Sequence, residues 1–462
     1  MRRAFMNLTL ETKIFLLAII LLFCLPVMVL GSSTDNHQQK IIALKGGTLI
    51  DGYNGKPINN SVILIQGKRI KQVGTVATIT IPEKAEIIST EGMSVLPGLW
   101  DAHVHLMING HADYIHWDKT YPPLFRSTIM PSSAQQLLMA GVTSARDLGA
   151  PLEDIIAIRD AINAGKIPGP TLYVCGPFLQ HRPYPGTDHF RWGIKSPEDA
   201  RQKVKKLVKA GVDFIKLIDQ DQMTLDEIKA LVDESHKHGL KVVAHAHRPE
   251  EIRKGLIAGV DCFEHTGLSN APEYPEDIMK QITERTAKMN LGPLFWCPTV
   301  SPLYNYTYFR DNLELLDNPA CYLGLPENIK KDIRDSFKHP DRLPYYQMTP
   351  SRIPTLPKKF SQLKNSGLVL LVGTDSGIPM TFHAQSTWYE LEIWVNILGV
   401  DPIEAIRAAT YWPAVCVDAE KDSGTVSEGK FADIVAVKGD VLRNISLLSR
   451  IDLIIKHGHR YK

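Results

Sequence analysis

Cysteine is scarce: six residues in a chain of 462, and no Cys-x-x-Cys pair among them. That excludes a zinc knuckle. Cys24 lies in the N-terminal leader, and the other five (Cys175, Cys262, Cys297, Cys321 and Cys416) are odd in number and widely scattered, so no disulfide framework is expected. Charge of one sign is also lacking. The formal net charge is +2, and no Lys/Arg-rich run occurs outside the N-terminus, so nothing calls for nucleic acid as a partner. Composition is ordinary for a globular enzyme, with 44% hydrophobic and 22% charged residues, which excludes wholesale disorder.

A long apolar run does occur at the N-terminus. Arg2, Arg3 and Lys13 precede seventeen apolar-rich residues, Ile14 to Leu30, and a polar stretch follows to Lys40. This is the order of an export signal, with Val29 and Gly31 small enough for a cleavage site, although no clean Ala-x-Ala is present. The competing reading is an uncleaved membrane anchor, since a spanning helix needs about 20 apolar residues. Arg2-Arg3 also loosely resembles a twin-arginine signal, but the Leu/Ile-rich run is too hydrophobic to favour that route. Residues 1–31 are therefore read as signal peptide or anchor, and the mature protein as exported (periplasmic or secreted) or held facing outside.

Both ends of the remaining chain are β-rich. Ile41 to Ile50, Val62 to Val73 and Glu86 to Ser89 read as strands, as do Asp433 to Val437 and Ile451 to Ile455. The middle alternates instead. Eight apolar runs (Leu99–Val104, Val142–Arg146, Thr171–Cys175, Phe214–Ile218, Val242–Ala246, Cys262–Glu264, Leu294–Cys297 and Leu368–Val372) are interleaved with amphipathic stretches such as Pro197–Ala210, Thr224–His238 and Glu250–Ala258. Ser196 and Thr224 supply helix caps, and Gly211, Gly239 and Gly259 supply stops. The expected fold is α/β: a (β/α)8 TIM-type barrel over 97–420, with a small β-sandwich domain built from 41–96 and 421–462. Ser301 to Met348, rich in tyrosine, interrupts the rhythm after the seventh strand, either as a lid over the catalytic face or as a packed insertion.

The strongest chemical signal is Pro97-Gly98-Leu99-Trp100-Asp101-Ala102-His103-Val104-His105. Histidines two apart on a strand point to one side, so both can reach one ion. The pair His236/His238 ends a helix, where such spacing points apart, and His457/His459 has no carboxylate neighbour; both are read as surface. Later strands end in Lys216, in His245 and His247, in His265, and in Asp375. Polar groups arriving in strand order at the carboxyl ends of barrel strands describe a metal site rather than separate structural histidines. Glu264, beside His265, is expected to face the opposite side and to be structural.

The run from His103 to Asp375 resembles the amidohydrolase superfamily. Gly424-Thr425-Val426, with Gly429-Lys430 and Ala432-Asp433, is similar to the stretch that leads those enzymes back into their small β-domain. Phe214-Ile215-Lys216, His245-Ala246-His247 and Glu264-His265-Thr266-Gly267 look closest to the imidazolonepropionase-like and Xaa-Pro-dipeptidase-like branch. That resemblance implies two divalent ions, zinc by donor type, with carboxylated Lys216 bridging them. One ion would sit on His103, His105, Lys216 and Asp375, the other on Lys216, His245 and His265. The plainer reading of Lys216 is an ion-paired or snorkelling side chain. The resemblance selects His245 over His247 as ligand and leaves His247 to touch substrate.

Such a site activates water for attack on an amide carbonyl, with Asp375 as general base and then acid. His181 or His189 are candidates to stabilise the oxyanion, and Arg182 or Arg191 to bind a substrate carboxylate; a polar surface loop is the bland alternative for all four. Dipeptidase relatives carry a Gly-Gly-His-like stretch here and a tyrosine after the strand-four lysine. This chain has neither, so the substrate stays open among small-molecule amides, dipeptides and cyclic amides. Ester or lactone cleavage, or deamination, on the same site is the alternative. A non-catalytic scaffold would show missing ligands, and none is missing. A homo-oligomer is compatible with the sequence.

Overall fold

The computed structural model describes residues 40–462, apart from 54, 267–269 and 339–343. The export signal or anchor and Cys24 lie outside the described residues. Among the described residues no helix is long and apolar enough to cross a membrane.

Eight parallel strands run through the middle of the chain where the apolar runs stand: Leu99–Val104, Val142–Asp147, Thr171–Val174, Ile215–Leu217, Val242–His245, Cys262–Glu264, Phe295–Cys297 and Val369–Leu370. The first three form one sheet and the other five belong to a second, all in parallel register. Hydrogen bonds join the two sheets at both edges. Asp213 N–H donates to Val174 O (2.8 Å) on one side; Ala102 N–H to Val372 O (3.0 Å) and Asp375 N–H to His103 O (2.8 Å) do so on the other. Two further short strands, Phe178–Gln180 and Arg191–Gly193, extend the second sheet parallel to its neighbours. The sequence placed no strand there, only substrate-side candidates or a polar surface loop.

The helices between strands begin and stop on local chemistry. Ser196 accepts from Asp199 N–H to cap Pro197–Ala210, and Gly211 ends that helix at φ 79°. Thr224 and Glu227 form a reciprocal capping box at the start of Leu225–Lys237. Their apolar faces cover the strands: Val204, Leu207, Ile228 and Leu231 share one buried cluster with Ile215, Leu217, Val242 and Ala244.

The chain ends meet. Ile434–Lys438 pairs antiparallel with Met93–Pro97 in a five-stranded sheet, while Ile41–Lys45, Ser61–Gln66, Arg69–Thr75 and Glu86–Ser89 form a four-stranded one. Ile42, Leu44, Ile63, Ile65, Val95, Ile434 and Ile455 bury into a single core shared by both. The segment after the seventh strand is helical, with Ser301–Asp311, Glu327–Ser336, Pro344–Arg352 and Leu356–Lys364. Several of its described aromatic side chains pack inward: Phe309 and Tyr322 are buried against Phe382. The five cysteines beyond Cys24 are buried free thiols, as expected.

Backbone contact between the first and eighth strands leaves no room at Gly373. A Cβ there would collide with the Cys297 thiol and come within 2.8 Å of His103 N and 3.0 Å of Ala102 C. Gly373→Ala is therefore expected to cost about 2 kcal/mol through overpacking, measured by urea unfolding. It should also lower activity by displacing Asp375 from His103; unchanged stability and turnover would show that the strands can part freely.

Candidate metal centre

His103 and His105 leave the first strand on the same side, as the spacing demands. Their Nε2 atoms lie 3.2 and 3.1 Å from one oxygen, Asp375 Oδ1. Asp375 reaches them because the chain turns sharply after the eighth strand, with φ 57° at Asp375 itself. Asp101, buried below, holds that turn: it accepts from the backbone N–H of His103 and Thr374 (3.1 Å each) and from the hydroxyls of Thr374 (2.6 Å) and Thr387 (2.8 Å).

A second buried chain orients His103 from the other ring nitrogen. His103 Nδ1 lies 2.7 Å from Glu264 Oε2, and Arg146 Nη2 donates to Glu264 Oε1 at 2.7 Å. Arg146 also donates to Ala102 O (2.7 Å). All three side chains are sealed from water. Burial alone would raise the Glu264 carboxyl, but Arg146 and His103 outweigh it and hold the pKa at about 2. The carboxylate thus fixes Nδ1 as a protonated nitrogen and turns His103 Nε2 toward Asp375.

Glu264 corrects the sequence expectation that it faces away. The alternation rule fails because the strand ends at Glu264 and His265 adopts φ 76°. Both side chains therefore reach the interior. Neither Glu264 nor Arg146 was singled out as a positioning group, although a charged residue closing the apolar run Val142–Arg146 is the signal that could have found Arg146.

On the opposite side, His245, His247 and His265 crowd together, with ring centroids 4.3–4.7 Å apart. His265 Nδ1 is 2.8 Å from Thr299 Oγ1 and 3.9 Å from Asp375 Oδ2. Burial lowers the pKa of all three, that of His247 to about 3, so each is a neutral imidazole. Lys216 is fully buried, and its Nζ has no hydrogen-bond partner. Burial lowers its pKa, against the pull of Glu264 and Asp375. The ion-paired reading of Lys216 finds no partner among the described residues.

These residues fit divalent ions. Five buried nitrogens (His103 Nε2, Lys216 Nζ, His245 Nδ1, His247 Nδ1 and His265 Nε2) have no hydrogen-bond partner. Buried polar atoms are rarely left so, and imidazoles gathered beside a buried carboxylate have the donor chemistry of a metal cluster. His245, His247 and His265 form one group able to hold an ion, and His103, His265 and Asp375 another.

A cavity of about 700 Å³ opens onto this cluster, lined by His105, His245, His247, His265 and Asp375, with Phe178, Arg191 and Asp118 farther out. Of the substrate-side candidates, Arg191 and His247 face it. Arg191 donates to Gln180 Oε1 (3.1 Å) and lies over the rings of Tyr184, Phe178 and Phe190. His181, Arg182 and His189 are exposed and do not line the cavity; Phe190, not His189, turns inward. From the tyrosine-rich segment, Tyr306 and Leu303 wall a small annex of about 80 Å³ beside His247, His265 and Asp375. Elsewhere on the molecule, His236 pairs with Asp261 (2.8 Å) and His238 with Glu234 (3.1 Å), apart from the cluster.

The amidohydrolase family model matches residues 94–460. The chain therefore belongs to the amidohydrolase family, enzymes that hydrolyse carbon–nitrogen bonds. Its sequence is 26% identical over 460 residues to the ochratoxinase of Aspergillus niger, across 90% of this chain and 84% of that protein. The crystal structure of that ochratoxinase superposes with a TM-score of 0.67 at 23% identity, covering 92% of this chain and 96% of the other. An Xaa-Pro dipeptidase with bound methionine superposes with a TM-score of 0.69 at 23% identity, covering 92% and 100%. These neighbours imply a TIM-type barrel for the parallel strands.

Glu264→Gln should lower stability by about 3 kcal/mol, since Arg146 loses its buried counter-charge, and weaken metal binding about 10–100-fold, because an amide is a poorer partner for the His103 Nδ1–H. Competition with a chromophoric chelator measures this. Affinity equal to that of the unmodified protein would show that Glu264 does not tune His103.

Proposed function

We propose that this chain is an exported binuclear metal hydrolase that cleaves the amide bond of a small substrate carrying a free carboxylate. The observation that carries the reading is the set of five unpartnered buried nitrogens around Asp375. In this reading His103, His105, carboxylated Lys216 and Asp375 hold one ion, and carboxylated Lys216, His245 and His265 hold the other. Zinc suits these donors. His247 keeps its place at the cavity wall and faces substrate. The eight strands close as a barrel over 97–420, which the hydrogen bonds at both sheet edges support. Residues 41–96 and 421–462 form a β-sandwich, supported by their common core. Export rests on the N-terminal charge and apolar run alone.

Lys216 is prepared for carboxylation by its surroundings. Burial favours the neutral amine, whose lone pair can attack carbon dioxide; a C–N bond forms, one N–H proton leaves to solvent, and an anionic carbamate with two ligand oxygens results. When bound, two divalent ions supply Lewis acidity and lower the pKa of water toward about 7. Asp375 does the proton work. It accepts the proton of the attacking water on its carboxylate and returns it to the leaving nitrogen. Asp101, through its four hydrogen bonds, holds that carboxylate in place. Arg191, stacked among Tyr184, Phe178 and Phe190 at the cavity wall, offers its guanidinium to a substrate carboxylate. The aromatic and aliphatic wall around it favours an apolar body beside that charge. An ochratoxinase and an Xaa-Pro dipeptidase among the relatives support an amide substrate of this size.

Asp375→Asn is expected to lower kcat by about 10³-fold in a screen of N-acyl amino acids, dipeptides and cyclic amides, and chelation to abolish turnover. Full activity in either case would sink the hydrolase reading. Arg191→Met should raise KM at least tenfold for substrates with a free carboxylate and leave their amidated analogues unchanged; equal effects on both would remove Arg191 from carboxylate binding. Density or mass for one carbamate on Lys216 decides between carboxylation and a plain buried amine.

A further inference from the structure

Outside the centre around Asp375, a second group of donors gathers where the loop after the first parallel strand meets the inserted helix Glu327–Ser336. We propose that His111, His116 and Asp332 bind a further divalent ion, zinc by donor chemistry, which braces one wall of the substrate cavity. Their ligand atoms all lie within 4.8 Å of one another. His116 Nε2 is 2.8 Å from Asp332 Oδ2, and His111 Nε2 is 3.5 Å from the same oxygen. The two imidazoles stack, with centroids 5.2 Å apart and planes inclined by 21°.

An ordinary ion pair between His116 and Asp332 leaves His111 unexplained. Its side chain is only 4% exposed, and its Nε2 is buried without a hydrogen-bond partner. On the other side of the ring, Nδ1 accepts from Asp113 N–H at 2.9 Å and lies 3.1 Å from Asp113 O. That hydrogen bond places the neutral ring's proton on Nε2; an ion bound there would displace it and leave the ring's proton on Nδ1, within reach of the Asp113 carbonyl. Without an ion, the buried Nε2–H has only Asp332 Oδ2, 3.5 Å away, to receive it. An ion removes that conflict.

Charge and access agree with the assignment. Burial, the largest influence on His111, lowers its pKa and favours the neutral ring. Burial raises the Asp332 carboxyl, but hydrogen bonds from Tyr121 and His116 outweigh it and keep it ionised. The Tyr121 hydroxyl donates to Asp332 Oδ2 at 2.7 Å. Two imidazoles and a carboxylate are a zinc donor set, with water or the Tyr121 oxygen available to complete it. The side chains of His116 and Asp332 are 43% and 32% exposed, which gives an ion a way in.

The position gives the ion a task. Helix Tyr114–Thr120, which His111 precedes and His116 belongs to, sends Tyr114, Ile115, Asp118 and Lys119 to the cavity. His116 and Tyr121 tie this segment to the inserted helix through Asp332, and the preceding loop adds Ala112 N–H to Ser336 Oγ at 3.0 Å. An ion across His111, His116 and Asp332 locks these two segments and so sets the shape of the substrate entrance.

The test is independent of what the Asp375 centre does. After equilibrium dialysis at micromolar free zinc, mass spectrometric metal analysis should find one equivalent fewer in His116→Ala and in Asp332→Asn than in the unmodified protein. Both variants should show a raised KM with kcat little changed. Zinc-edge anomalous scattering from crystals of the unmodified protein should place a peak among the three side chains, and this decides the matter even if a variant fails to fold. Equal metal content, no peak, or filling only at millimolar zinc would overturn the proposal.

Discussion

The Arg146–Glu264 ion pair, shut away from water beside the histidines and Asp375, is the contact on which the rest of the centre depends. Two charges in that setting are stable only while paired and hydrogen-bonded, and loss of either partner leaves the other exposed to the full cost of burial. Here the carboxylate spends its second oxygen on His103, and Arg146 spends its Nε on the carbonyl of Ala102. Second, sixth and first strands are thereby tied at one level. The imidazole that faces Asp375 is held by the interior itself, so the orientation of His103 is set by protein groups alone.

Asp101 plays the matching part on the other side. It gathers the backbone of His103 and Thr374 with two hydroxyls, and so joins the first strand to the turn that carries Asp375. Its own carboxyl is raised to about 6, burial being the chief cause. The two buried acids, Glu264 and Asp101, thus divide the labour. One sets the direction of a ring, and the other sets the position of the Asp375 carboxylate.

Much of this could be read from the chain. The eight parallel strands stand within a residue or two of the apolar runs, because residues buried on both faces leave a continuous signal. His103 and His105 converge because period two is a property of any strand. Reading failed where the backbone leaves its regular form. His265 and Asp375 sit at positive φ, and no pattern of alternation survives such a residue, so Glu264 was set on the wrong side. Phe178–Gln180 and Arg191–Gly193 are strands of three residues inside a polar stretch, too short for a periodic signal. Asp332 stands 216 positions beyond His116, a separation across which sequence alone carries no sign of contact.

The pairing of Met93–Pro97 with Ile434–Lys438 also fixes the order in which the molecule can be completed. As the chain is synthesised, its early strands must keep an apolar face and an open edge while more than three hundred residues of α/β structure emerge. Only the last stretch supplies the missing neighbour. During that interval the first sheet is the part of the nascent protein most open to wrong partners. The last strands to be made therefore act as a seal: a chain cut short before Ile434 carries every residue around Asp375, yet leaves its first sheet without the strand that closes it.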